Sequence, residues 1–207
     1  MRRTKPAACM TRLPAANPLA RLRLVLALLL GTTTLLLAPA AQAWELSGRK
    51  EITALMQDQQ QIPLGSVDFT PLPDGRARFA LSMDHHRFAD YFLSMKEFKC
   101  LATEQEVLCH VPYPYAQPGT VREGDYAWLE HQLLFLFKQP RDFGAKLWNG
   151  LYFAFSRDEE GLVGKPQAVD LNLISAPPDN LQLPPYGPAM RDNVQDAAHA
   201  IRQILIR

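Results

Sequence analysis

The chain has 207 residues, with 22 Lys and Arg against 21 Asp and Glu, 47% hydrophobic residues and three cysteines. The charge is unevenly placed: the first 23 residues hold six of the basic residues and no acidic one, so residues 44–207 carry a net charge of −5. A mildly acidic remainder of this kind excludes the electrostatic footprint of a nucleic-acid or anionic-lipid binder.

In chain order, Arg2, Arg3, Lys5, Arg12, Arg21 and Arg23 precede an apolar stretch from Leu24 to Leu37, interrupted by Gly31 and Thr32 to Thr34. Pro39 then breaks the segment, and Ala41-Gln42-Ala43 supplies small residues at the positions a signal peptidase accepts. A basic region, an apolar core and a small-residue site predict a signal peptide over 1–43 and cleavage before Trp44. The rival, an uncleaved anchor, wants ~20 apolar residues, and this run is shorter. The expected product is a single periplasmic or secreted domain over 44–207, with no membrane span after cleavage.

Residues 44–62 admit both readings: Ile52, Leu55 and Met56 fit a helix, while the run into Ile62 to Val67 fits pairing, and a strand is expected. From Ser66 to Met83, apolar Val67, Phe69, Ala77, Phe79 and Leu81 alternate with polar residues around Pro73-Asp74-Gly75, the pattern of a hairpin. Asp84 is positioned to cap a helix bearing Phe88, Tyr91, Phe92 and Met95. Cys100 and Cys109 flank a polar tip; pairing Ala102 with Val107 sets the two cysteines opposite each other, with β-carbons ~4.5–5.5 Å apart. In an oxidising compartment that geometry predicts a structural disulfide.

Asp125 is expected to cap a second helix carrying Tyr126, Leu129, Leu133, Leu136 and Phe137, ended by Pro140. A third hairpin is expected from Leu151, Phe153 and Phe155, through the tip Asp158 to Gly161, to Val169, Leu171 and Leu173, with Pro166 delaying the second strand or putting it at an edge. A third helix follows Asn193, with Asp196 at the capping-box position and Val194, Ala197, Ala198, Ile201, Ile204 and Leu205 on one face. The expected fold class is therefore α+β, one domain with a largely antiparallel sheet built from hairpins and about three packed helices.

The chemistry is less legible. Adjacent His85 and His86 point about 100° apart on a helix, and His86 with Asp90 offers two ligands where zinc needs three or four. His110 and His131 would serve catalysis only with a carboxylate near, and His199 is expected on the solvated side of the last helix. There is no Gly-x-Ser-x-Gly elbow, and Gly161 to Pro166 lacks the phosphate-loop spacing. No metal and no cofactor is expected. The remaining candidates are aromatic: Tyr113, Tyr115 and Tyr186 in Pro-rich extended segments, and Trp148 beside Gly150, where such rings often meet ligands. The competing reading is that they cover the edges of the core.

The segments Phe92 to Cys100, Cys109 to Tyr115, Leu147 to Gly150 and Asp170 to Ile174 resemble an uncharacterised family of exported bacterial proteins. That resemblance implies no activity and transfers no functional residue. The expectation is a non-catalytic binding or envelope accessory protein whose partner is an unidentified envelope protein or small ligand. The alternative is a hydrolase or metal-dependent enzyme using His110, His86 or His131 with a neighbouring carboxylate.

Overall fold

The computed structural model describes residues 43–92 and 96–207. The expected leader over 1–43 lies, but for Ala43, outside the described residues, as does Met95. The described chain is built on strands β1 (Gly48–Met56), β2 (Gln61–Pro71), β3 (Ala77–Met83), β4 (Ala89–Asp90), β5 (Lys99–Ala102) and β6 (Val107–His110). They are followed by β7 (Thr120–Val121), a helix α1 (Ala127–His131), β8 (Phe135–Lys138), β9 (Gly150–Arg157), β10 (Leu162–Val169), β11 (Asp192–Asn193) and β12 (Ile201–Ile206). All twelve strands join one sheet in the order β4-β5-β6-β8-β9-β10-β12-β1-β2-β3-β7, with β11 on β10.

The expected α+β class with about three helices is therefore wrong: among the described residues the protein is a mostly antiparallel β-structure with one five-residue helix. Each misplaced helix has its own cause. Asp84 accepts from the His86 N–H at 3.0 Å, which makes a local turn instead of a cap, and the chain then pairs Ala89 with Cys100 at the sheet edge. The second helix stops at His131 because Leu133 to Leu136 are all fully buried. A run buried on every side suits a central strand better than an amphipathic helix, and Leu136 and Phe137 lie in β8. In the third, Ile201, Ile204 and Ile206 are buried in a strand paired with β1 on one side and β10 on the other. Two ladders and β-branched side chains outweigh a helical spacing.

The hairpin expected from Ser66 to Met83 is where the alternation put it. β2 and β3 pair around Pro73-Asp74-Gly75, and β1 occupies the ambiguous segment. Gly65 allows a bulge in β2: its φ is +145°, and a Cβ there would fall 2.1 Å from the Ser82 carbonyl oxygen. In the third hairpin the tip is correct, but the second strand is β10 itself, with Pro166 inside it, and Leu171 to Ile174 form a 3-10 turn.

The sheet curls. Helix α1 packs against both β9 and β7, which stand six places apart in the strand order. Flat, they would be separated by ~29 Å at ~4.8 Å per strand, whereas five helical residues reach only ~7.5 Å. The far edge must come round to the middle, and an ion pair from Arg157 on β9 to Glu123 beside β7, at 2.9 Å, closes the same gap. The enclosed core runs from Trp44 and Ile52 to Ile206. No helix among the described residues is long and apolar enough to cross a membrane.

Candidate functional site

The cysteine hairpin has the expected register. Ala102 faces Val107, Leu101 faces Leu108 and Cys100 faces Cys109, and the two cysteines form a disulfide with their Cα atoms 3.9 Å apart. Glu106, at the end of this hairpin, is 1% exposed. Its carboxylate accepts from the Ala200 N–H at 2.6 Å and lies 3.0 Å from His199 Nδ1. The hairpin tip thus holds a loop more than ninety residues away in sequence.

The aromatic candidates divide. Tyr186 is 1% exposed, and its hydroxyl donates to the Asp170 carbonyl at 2.9 Å. Its backbone N–H donates to His131 Nε2 at 3.1 Å, so the ring proton sits on Nδ1, which donates to the Ala127 carbonyl at 2.6 Å. His131 is fully buried, stacked on Tyr186 at 5.3 Å and edged by Tyr152, Tyr113 and Trp128. Burial holds its pKa down to about 4, so it is a neutral packing residue at pH 7. Tyr113 is buried, with Tyr115 half-buried against its ring edge. Trp148 stands apart, 63% exposed beside Leu173 and Met190 at a hollow of about 300 Å³. The three tyrosines and Trp148 do not converge on one pocket.

Two further histidines are also buried, His199 against expectation. His110 is buried between Phe135 and His85, its Nε2–H donates to the Gln132 carbonyl at 2.8 Å, and burial lowers its pKa to about 4. His199 is 8% exposed, not solvated, because no helix carries it outward. Among the described residues no three His, Cys, Asp or Glu side chains gather as a metal site.

A buried polar pair escaped the sequence altogether. Phe155 lies opposite Gly164 in a position whose N–H points away from β10, toward the side where β8 has already ended. Glu130 fills the gap: one carboxylate oxygen accepts from the Phe155 N–H at 2.6 Å and the other from the Tyr152 hydroxyl. Burial raises the Glu130 pKa, and the Arg191 guanidinium lies over the Tyr152 ring at 4.5 Å. Tyr152→Phe leaves that buried oxygen without its donor and is expected to cost ~1–3 kcal/mol. Urea unfolding measures this, and a loss below ~0.5 kcal/mol, the scale of a surface change, would remove Tyr152 as the partner that matters.

A cleft of about 770 Å³ lies in the seam between β10 and β12. Pro166 opens it. β10 pairs with β12 at Leu162↔Ile206 and Gly164↔Ile204, and the next pair in that ladder would be Pro166 with Arg202. The mutual bonds between Arg207 and Glu51 turn those two residues toward β1, which aims Ile206 and Ile204 at β10. Position 166 should therefore donate toward β12, and proline has no N–H to give. β12 peels away, and the chain from Val194 to Ala200 bulges out as the rim.

That rim is tied down on two sides. Gln57 donates to the His199 carbonyl at 3.0 Å, Gln105 to the carbonyls of Ala197 and Ala198 at 3.4 and 3.3 Å, and Glu106 takes Ala200 and His199 as described. Five carboxamides line the cleft: Gln57, Gln167, Asn193, Gln195 and Gln203. Lys165 stands on the β10 wall, Arg202 on the β12 wall and Asp196 on the rim, with Phe155 and Pro166 supplying apolar surface.

The fold and cleft define an antiparallel β-protein with a preformed groove in its sheet. No protein-family model, curated protein or solved structure matches the chain.

Proposed function

We propose that this is an exported, non-catalytic binding protein that takes a small or extended polar ligand in the cleft between β10 and β12. The observation that carries the reading is the tethered rim. Five side-chain bonds from separate elements hold the segment 197–200 in place, so the groove is formed before a ligand arrives, and preorganisation of this kind favours affinity. A buried disulfide and the absence of a membrane-spanning helix among the described residues are compatible with export.

Non-catalysis rests on how the imidazoles are used. His131 spends both ring nitrogens on backbone groups and His110 its Nε2, and both rings are buried. An enzymatic reading has one support, the His199–Glu106 pair at the cleft wall, in which a buried carboxylate orients an imidazole as in acid–base pairs. No hydroxyl or thiol among the described residues bonds to His199, so that pair lacks a nucleophile.

A thermal-shift screen of sugars, amino acids and short peptides tests the proposal, with Ala154→Trp filling the cleft. At least one compound class should raise the Tm of the wild type and leave the variant unmoved. Shifts that survive the filled cleft would sink the binding reading, and turnover of a bound compound would sink non-catalysis. Intact mass starting at Trp44, with the disulfide closed, is the expected result for protein recovered from outside the cytoplasm.

A further inference from the structure

We infer that the ligand of this cleft is a carboxylate-bearing oligosaccharide, an inference that rests on the cleft being the binding site. Three observations narrow the chemistry. The first is charge. Residues 44–207 carry net −5, yet the cleft presents Lys165 and Arg202 against a single carboxylate, Asp196. Neither cation has an ion-pair partner among the described residues, so neither charge is already neutralised by the protein. One comes from each wall, so an anion lying along the seam meets both.

The second is the kind of polar group on offer. A peptide strand entering the seam would look for backbone donors on β10. Pro166 has none, and Lys165 faces Ala154 in a position whose N–H belongs to the β9 ladder. Side chains must therefore do the holding, and half of the polar ones are carboxamides. Each carboxamide both donates and accepts, as does each sugar hydroxyl, whereas an acidic peptide offers mainly acceptors from its side chains.

The third is an incomplete hydrogen-bond set. Gln167 donates through Nε2 to Asn193 Oδ1 at 3.2 Å, but its Oε1 is buried without a partner. A buried acceptor left unpaired costs free energy, and because Gln167 lines the cleft, a rotation of its carboxamide would turn that oxygen to a ligand hydroxyl and satisfy it. The Pro166 and Phe155 surfaces offer the apolar contact that the C–H face of a pyranose ring presents.

Isothermal titration of the exported chain with its disulfide closed decides the matter, using three probes: a galacturonic acid tetramer, a neutral glucose tetramer and tetra-glutamate. The expected result is that the galacturonic acid tetramer binds at least tenfold more tightly than either of the others and weakens as salt is raised. Lys165→Gln/Arg202→Gln should reduce its affinity at least tenfold while leaving the Tm unchanged, both side chains being exposed. Gln167→Leu should weaken it without changing the salt dependence. Equal binding of the neutral tetramer, tighter binding of tetra-glutamate, no binding of the acidic tetramer, or indifference to the double variant would each overturn the inference. If the neutral tetramer or tetra-glutamate binds and Ala154→Trp abolishes it, the cleft remains the binding site and only the ligand class falls.

Discussion

Lowering the pH from 7 to 4.5 should destabilise the fold by about 5 kcal/mol through His110 and His131 alone. Both are neutral in the fold, with pKa values held down to about 4 mainly by burial, while in the unfolded chain each has the ordinary value of ~6.5. Between those values the unfolded state binds more protons, so stability is fully present above ~6.5 and is lost as the pH falls toward 4. Protonation would also give His131 Nε2 a proton facing the Tyr186 N–H that now donates to it. Glu130 works the other way. Its raised pKa means that the fold binds its proton more tightly, so falling pH stabilises the fold through this group and offsets part of the loss. Urea midpoints at pH 7 and 4.5 measure the net effect, and His110→Gln should reduce the pH dependence. Histidine ring resonances give the independent check: if His110 and His131 titrate near 6.5 in the folded protein, the explanation fails.

Replacing both cysteines, Cys100→Ala with Cys109→Ala, should cost ~2.5 kcal/mol, the chain-entropy value for a loop of this length, and lower the Tm by ~5–10 °C. The sulfurs lie in a pair of residues that are 1% and 0% exposed, so the native protein should resist reductant until it opens. Glu106 sits three residues before Cys109 and holds Ala200. Loosening the hairpin should therefore speed hydrogen exchange at the Ala200 amide more than at Ile204, which lies inside the sheet. A fall in stability below ~1 kcal/mol, less than half the chain-entropy value, would show that strand pairing alone holds this edge.

The hairpins were legible because two local signals agreed in each: period-two alternation and a tip whose side chains satisfy its own backbone. Asp158 accepts from the N–H groups of Glu160 and Gly161, both at 2.9 Å, and Asp74 accepts from Arg76. The helices were misread where apolar residues fill consecutive positions. Leu133 to Phe137 supports a stripe of any period, and only the neighbours β6 and β9 decide that it is a strand. Ile201, Ile204 and Leu205 fit a helical face as readily as a twisted strand, until β1 and β10 are in place.

The site was illegible for a related reason. Pro166 was visible as an irregularity, but its effect falls on β12, a strand the sequence had made into a helix. Glu106 with His199, and Glu130 with Tyr152, are partnerships between distant segments, and neither has a spacing to search for. Tyr113 and Tyr186 were noticed for their Pro-rich surroundings, a signal that marks extended chain without distinguishing an exposed ring from a buried one.

The strand order also sets a schedule. Within each of the groups β1-β2-β3, β4-β5-β6 and β8-β9-β10 consecutive strands pair, so these groups can form soon after they are made. β12 is inserted between β10 and β1, joining an early group to a late one across some 150 residues of intervening chain. Until Ile201 to Ile206 have emerged, Ile52 and Ala54 of β1 lack that neighbour. A chain emerging N-terminus first from a ribosome thus leaves this sheet unjoined until Ile201 to Ile206 are released, so its closure is a late, slow, long-range step.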